Sequence, residues 1–210
     1  MRPIQQIRQL DAADPNGIFL DQAPAAGVAL TLNGAFVTAG VAQLDQQRQV
    51  ELESAANLSA INFTIVGTDE QDRPITETIV GPNVGVSATS LDFFTVESIT
   101  PDGASGSNVE GGTNGVGGSI PIPVDKNVTP TSIGLGIVIT GTVDVTVQHT
   151  FDDIWAGAST IFTWFDHPTL INVVANGDGN LAFPPTAVRL LTNSGIGTAE
   201  FDLIQAGLAA

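Results

Sequence analysis

The sequence predicts an all-β protein built from two antiparallel β-sandwich modules with an extended N-terminal arm. Three observations predict it. First, apolar residues recur at every second position: Ile61, Phe63 and Ile65 against Asn62 and Thr64, then Ile133, Leu135, Ile137 and Ile139, then Val143, Val145 and Val147. A period of two puts such residues on one face of a strand and leaves the other face wet. Second, the 210 residues include 23 Gly and 12 Pro, which punctuate many short strands with tight turns. Third, the strand-forming pattern of Leu58–Ile65 and Val96–Gly103 is echoed by Gly141–Val147 and Val188–Gly195. The echo points to one building block used twice.

Residues 1–40 read as the arm. Ile4, Ile7 and Leu10 have helical spacing, but Pro3 and Pro15 bracket them closely. Ala23–Gly27 reads as a linker, and Val28–Gly34 alternates as a strand ending in an Asn-Gly turn. The first module covers 41–120. Val50 and Leu52 alternate with Glu51 and Glu53, Gly67–Pro74 is a polar turn, and Ile75–Val80 returns as the second arm of a hairpin. Gly81-Pro82-Asn83 breaks that strand, and Phe93, Phe94, Val96 and Ile99 continue the core. The Gly-, Ser- and Asn-rich residues 101–118 read as a flexible loop or linker. Pro121, Pro123 and Pro130 stiffen the adjoining extended segment, which puts a boundary near 120.

The second module covers 121–210. Gly134 and Gly136 alternate with the apolar residues of their strand, which implies close approach of another backbone. Val143–Val147 is the next strand. A long insertion, Asp152 to Asp178, carries both tryptophans, Trp155 and Trp164. Ala187–Leu191 and Ala199–Ile204 close the module around an Asn193-Ser194-Gly195 turn, and Gly207–Ala210 is a short tail.

Composition excludes several functions. Twenty-two acidic against six basic residues give a net charge of −16, and charged residues make up only 13%. Nucleic-acid backbones and anionic membrane surfaces both require Lys and Arg, so neither is an expected partner. Without Cys there is no disulfide or thiolate metal site, which fits assembly in a reducing cytosol. No apolar run reaches the length of a membrane-spanning helix, and no apolar stretch follows Arg2 and Arg8 as in a signal peptide.

Reacting groups are sparse. His149 and His167 are the two histidines, and neither accompanies a Gly-x-Ser-x-Gly elbow, so no Ser–His–Asp triad and no enzyme activity is expected. Asp152, Asp153, Asp166 and Asp178 share one region, but Asn176–Asn180 departs from a calcium-loop pattern and reads as a turn. No metal or cofactor is expected. Gly111–Gly118 lacks the Lys and following helix of a phosphate loop. Trp155 and Trp164 are candidates for a sugar-stacking platform, although packing the insertion onto the sandwich is the simpler role.

Val145–Asp153, Trp164-Phe165-Asp166-His167-Pro168, Asp178–Pro184 and Ala187–Leu190, with Leu58–Asp69 and Ile75–Asn83 before them, resemble segments of small structural proteins of tailed bacteriophages. The resemblance implies a β-sandwich virion component, assembled in the bacterial cytoplasm and carrying no catalytic residues. A capsid decoration or cement protein bound to the major capsid protein, self-associating as a trimer, is the expectation. A tail, collar or head–tail connector component and a carbohydrate-binding module are the alternatives. In this reading Phe151, Trp155, Trp164, Phe165 and Phe183 anchor the long loop, and Arg189 pairs with Asp152, Asp153 or Asp166 beneath it.

Overall fold

The computed structural model describes residues 3–209, with the side chains of 128–131 and 206–209 outside the description. Among the described residues there are sixteen strands and no helix, and their ladders are antiparallel. The chain divides into two units, one inserted in the other. Strand β1 (Ile4–Arg8) opens the terminal unit, which comprises Met1–Asp11 and Gly117–Ala210. The inserted unit, Ala12–Val116, holds β2 (Asp14–Gln22), β3 (Val37–Thr38), β4 (Val41–Asn57), β5 (Asn62–Thr68), β6 (Pro74–Val80), β7 (Asn83–Pro101) and β8 (Val109–Thr113). The chain then completes the terminal unit with β9 (Gly117–Gly118), β10 (Ile122–Pro123), β11 (Val128–Thr140), β12 (Val143–Thr150), β13 (Phe165–Asp166), β14 (Gly177–Leu181), β15 (Ala187–Gly195) and β16 (Thr198–Ala209). Residues 1–40 therefore do not stand apart as an arm: their first strand belongs to one unit and the remainder to the other.

The inserted unit is one seven-stranded sheet in the order β2-β8-β4-β7-β5-β6, with β3 beside β4. Strands β4 and β7 run for 17 and 19 residues, and their ladder shifts register between Gln43 and Arg48, between Gln49 and Glu51, and between Ser54 and Asn57. Such irregularities bend a strand and raise its twist. The bend brings β6 back to the first half of β7. There the buried Glu77 carboxylate accepts the Ser90 N–H at 2.9 Å and the Leu91 N–H at 2.8 Å, and Ser87 Oγ donates to the Val80 carbonyl at 2.6 Å. The curled face buries Phe19, Val50, Leu52, Phe63, Ile65, Phe93, Val96 and Ile99. Each such side chain contributes about 1.5–3 kcal/mol when fully buried.

Two expectations change here. The Gly-rich 101–118 segment is not simply a linker, because β8 within it is an interior strand between β2 and β4. Its glycines are required by contact. A Cβ on Gly111 would sit in the Phe19 ring, within 2.7 Å of Cδ1 and Cζ, and one on Gly112 would meet the Asp14 carbonyl. Residues 28–34 form a strap instead of a strand: Leu30 N–H donates to Ile99 O at 2.9 Å, and Gly34 N–H to Ile18 O at 3.0 Å. Contacts with two different strands leave no single ladder for the segment to join. The polar turn is held by buried Asp69, whose Oδ1 accepts the N–H groups of Gln71 and Arg73.

The terminal unit is a two-sheet sandwich. One sheet has the order β1-β16-β11-β14; the other has β10-β15-β12-β13, with β9 also on β15. Ile133, Leu135, Ile137, Leu181, Phe201 and Leu203 from the first sheet meet Ile122, Val143, Val145, Val147, Val188 and Leu190 from the second in one core. The strand orders of the two units differ, so the sequence echo does not extend to topology.

Strand β1 replaces the helix that Ile4, Ile7 and Leu10 allowed. It pairs with β16 from Ile4–Leu203 to Arg8–Ala199, which satisfies backbone groups that a helix pinched between prolines would leave open. Gly177–Leu181 is also a strand rather than a turn, paired to β11. A Cβ on Gly179 would meet Leu170 at 2.9 Å and His167 at 3.0 Å. Among the described residues the close approach expected at Gly134 and Gly136 is absent, since the nearest atoms to a Cβ there lie at 3.9 and 3.8 Å. Gly207 to Ala209 extend β16, and the remainder of the expected tail, Ala210, lies outside the described residues, as does Arg2.

Candidate functional site

Strand β12 carries the core stripe Val143, Val145, Val147, and the same alternation continues to His149 and Phe151. Beyond Val147 the stripe loses its cover. His149 is 7% exposed, but Phe151, Phe165 and Phe183 around it are 56%, 48% and 41% exposed. Register explains how they meet. His149 pairs with Phe165 of β13 on one side and with buried Val188 of β15 on the other, so all three point to the core face. Phe183 arrives from the loop after β14.

The ring centroids lie close together. His149 is 5.6 Å from Phe151, 5.8 Å from Phe165 and 5.3 Å from Phe183, while Phe151 is 6.0 Å from Phe165 and 5.8 Å from Phe183. These are contact distances for edge and tilted aromatic pairs. Phe151 thus bridges Phe165 and Phe183 over His149, and the three phenyl rings form one exposed aromatic patch.

The opposite face of the same sheet holds a polar row. Arg189, Gln148 and Asp166 pair across β15, β12 and β13. Arg189 Nε donates to Gln148 Oε1 at 2.9 Å, and Gln148 Nε2 donates to Asp166 Oδ1 at 2.8 Å. The Arg189 guanidinium lies 4.2 Å from the centre of the Trp164 ring, and Phe162 meets that ring edge-on. Arg189 thus reaches Asp166 through an amide relay and is held by a cation–π contact. The six residues expected to anchor the long loop separate accordingly. Phe151, Phe165 and Phe183 form the aromatic face, and Trp164 and Arg189 form the polar row. Trp155 stands 69% exposed, which overturns its expected role in packing the insertion.

The carboxylates of the insertion serve its loops. Asp152 Oδ2 accepts the Thr163 N–H at 2.6 Å and closes the loop at its base, and Asp153 Oδ1 accepts the Trp155 N–H at 3.1 Å. Asp178 lies on β14 opposite Gly136. Among the described residues no three His, Asp or Glu groups converge as metal ligands. A depression of about 320 Å³ lined by Thr142, Asp144, Val174 and Ser194 holds one carboxylate and hydroxyls, with no base facing them.

The two histidines have different roles. His167 is buried. Its Nδ1 accepts the N–H groups of Thr169 and Leu170 at 3.3 and 3.2 Å, so Nε2 carries the proton and donates to Asn180 O at 3.1 Å. It ties the loop before β14 to that strand. His149 Nδ1 is buried, with no hydrogen-bond partner among the described residues. Burial pushes its pKa below the ordinary 6.5; nearby His167 pushes the same way and Asp166 opposes. His149 is the member of the cluster that sequence reasoning missed as a contact residue, although its place in the 143, 145, 147 alternation was the available signal.

No protein-family model, curated protein or solved structure significantly matches the chain.

Proposed function

We propose that this chain is an adhesive structural protein, a virion component of the tailed-phage kind that decorates and stabilises the capsid shell. The observation that carries the adhesive part is the aromatic face. Three phenylalanines, each about half exposed and with Phe151 in contact with both others, lie where the core stripe leaves its cover. Contiguous exposed apolar surface of this kind marks interaction sites on soluble proteins. The virion part rests on the sequence resemblance. The major capsid protein or other virion proteins are the partners, with a trimer as the form in which the chain attaches. Many weak contacts repeated over a shell add up to tight attachment.

Cryo-electron microscopy of the particle that contains this chain tests the proposal. Density distributed over the shell supports decoration. Density confined to one vertex or the tail supports a connector or tail component instead, and absence from the particle removes the virion reading. The exposure of Trp155 beside Asp152 and Asp153 favours carbohydrate binding as a second reading. Loss of glycan-array binding on Trp155→Ala, with thermal stability kept, supports it.

A further inference from the structure

The aromatic face also specifies its partner. Building on the adhesive reading, we infer that the face of Phe151, Phe165 and Phe183 docks a segment of another protein that presents an apolar or aromatic anchor flanked by Arg or Lys, rather than a second copy of this chain.

The apolar requirement follows from the three exposed phenyl rings joined through Phe151. The Nδ1 of His149 beneath them is buried, so that nitrogen is closed to a docked group. The basic requirement follows from the rim. Asp152 and Asp153 follow Phe151 directly. Lys126 is the base nearby, and its Nζ donates to Thr186 Oγ1 at 3.2 Å, while Arg189 and Asp166 stand on the opposite face of the sheet with Gln148. The rim thus holds two carboxylates against one engaged base, on a chain of net charge −16.

A second copy would set the same two carboxylates against their equals, and like-charge juxtaposition opposes that pairing. The chain has few bases to offset it. Of its six, Arg48 pairs with Asp45, Arg73 pairs with Asp69, and Arg8 is buried. An Arg or Lys from a different protein meets both demands. Its aliphatic stem lies on the phenylalanine faces, and its charged head reaches the aspartates. Self-association of the chain is thereby assigned to other surfaces.

The test uses the full chain and two synthetic peptides, one alternating Leu and Trp with Arg and the other carrying Glu in place of Arg. Isothermal titration should show the Arg peptide binding wild type about tenfold or more tightly than F165S/F183S, the loss expected when central aromatic contacts are removed. D152N/D153N should weaken binding several-fold and flatten its salt dependence. The Glu peptide should bind far more weakly than the Arg peptide. Equal binding to wild type and F165S/F183S overturns the inference, as does equal binding of the two peptides. A wild-type dimer in sedimentation equilibrium that is lost in F165S/F183S also overturns it, because a second copy then covers the face. Peptide-induced amide shifts in wild type read the same point without any variant: shifts at His149–Asp152, Phe165 and Phe183 support the inference, and shifts confined elsewhere overturn it. The two proposals fail separately. A chain found on the shell but blind to the Arg peptide loses its partner chemistry alone. A chain that binds the peptide through this face but is absent from the particle loses the virion reading alone.

Discussion

Replacing Gly111 by alanine forces a methyl group into an occupied place. Phe19 is fully buried and lies directly across from Gly111 in the β2–β8 ladder. A Cβ at 111 would come within 2.7 Å of both Cδ1 and Cζ of that ring, whereas packed carbons rest about 3.5–4.0 Å apart. Cε1 lies closer still, so the ring must withdraw by roughly 1.5 Å or more, into a core where Leu52 and Ile18 are also fully buried. Overpacking of this kind costs about 1–3 kcal/mol, and complete loss of the phenylalanine's packing, about 3–5 kcal/mol, sets the ceiling. The expected destabilisation of the inserted unit is about 2–3 kcal/mol. In a Phe19→Ala background the obstacle is gone, so the same Gly111→Ala change should cost under about 1 kcal/mol, a coupling of roughly 2 kcal/mol. Urea unfolding followed by two probes measures it. Trp155 and Trp164 both lie in the terminal unit, so fluorescence follows that unit, and circular dichroism follows both. The transition seen by dichroism alone belongs to the inserted unit. A Gly111→Ala chain within about 0.5 kcal/mol of wild type, or an undiminished cost in the Phe19→Ala background, refutes the argument.

Other outcomes rest on single residues. The folded-state pKa of His149 lies below its unfolded value of 6.5, so its contribution to stability is complete above that pH and is lost as pH falls below it toward the folded value. His149→Gln should therefore reduce the decline of the fluorescence-detected urea midpoint as pH falls below about 6.5, and an unchanged decline would remove His149 from the account. His167→Ala loses the ring's hydrogen bonds to Asn180, Thr169 and Leu170 at a buried site and should cost the terminal unit about 2–3 kcal/mol in the same assay. Glu77→Ala strips the acceptors from the Ser90 and Leu91 N–H groups and should destabilise the inserted unit by about 2–4 kcal/mol by dichroism. Trp155→Ala should leave stability within about 0.5 kcal/mol of wild type, as for an exposed side chain.

The strands that position the core were legible because their alternation is strict. Val143, Val145 and Val147, and likewise Phe63 and Ile65, face inward as their period requires. Where composition spoke instead of period, it misled. Gly111 and Gly112 read as linker residues, yet each is small because a specific neighbour, Phe19 or the Asp14 carbonyl, occupies the space a side chain would need. No local pattern announces a partner about 90 residues away in sequence. The same applies to β1, whose identity as a strand depends on β16 at the other end of the sequence. At the candidate site the aromatic residues were visible, but their separation onto two faces of one sheet was not. That separation depends on Phe165 standing opposite His149 and Asp166 opposite Gln148, a register set by pairing. Reading the 143, 145, 147 alternation two steps further would have placed His149 with the phenylalanines.

The pairing of Ile4–Arg8 with Ala199–Leu203 has a consequence during synthesis. Strand β1 leaves the ribosome well before β16, its neighbour among the described residues, while every strand of the inserted sheet emerges in between. That sheet can therefore mature first, and the nascent opening segment remains an unsatisfied edge until translation reaches β16. A ribosome stalled before Thr198 should present a protease-resistant middle flanked by cleavable ends.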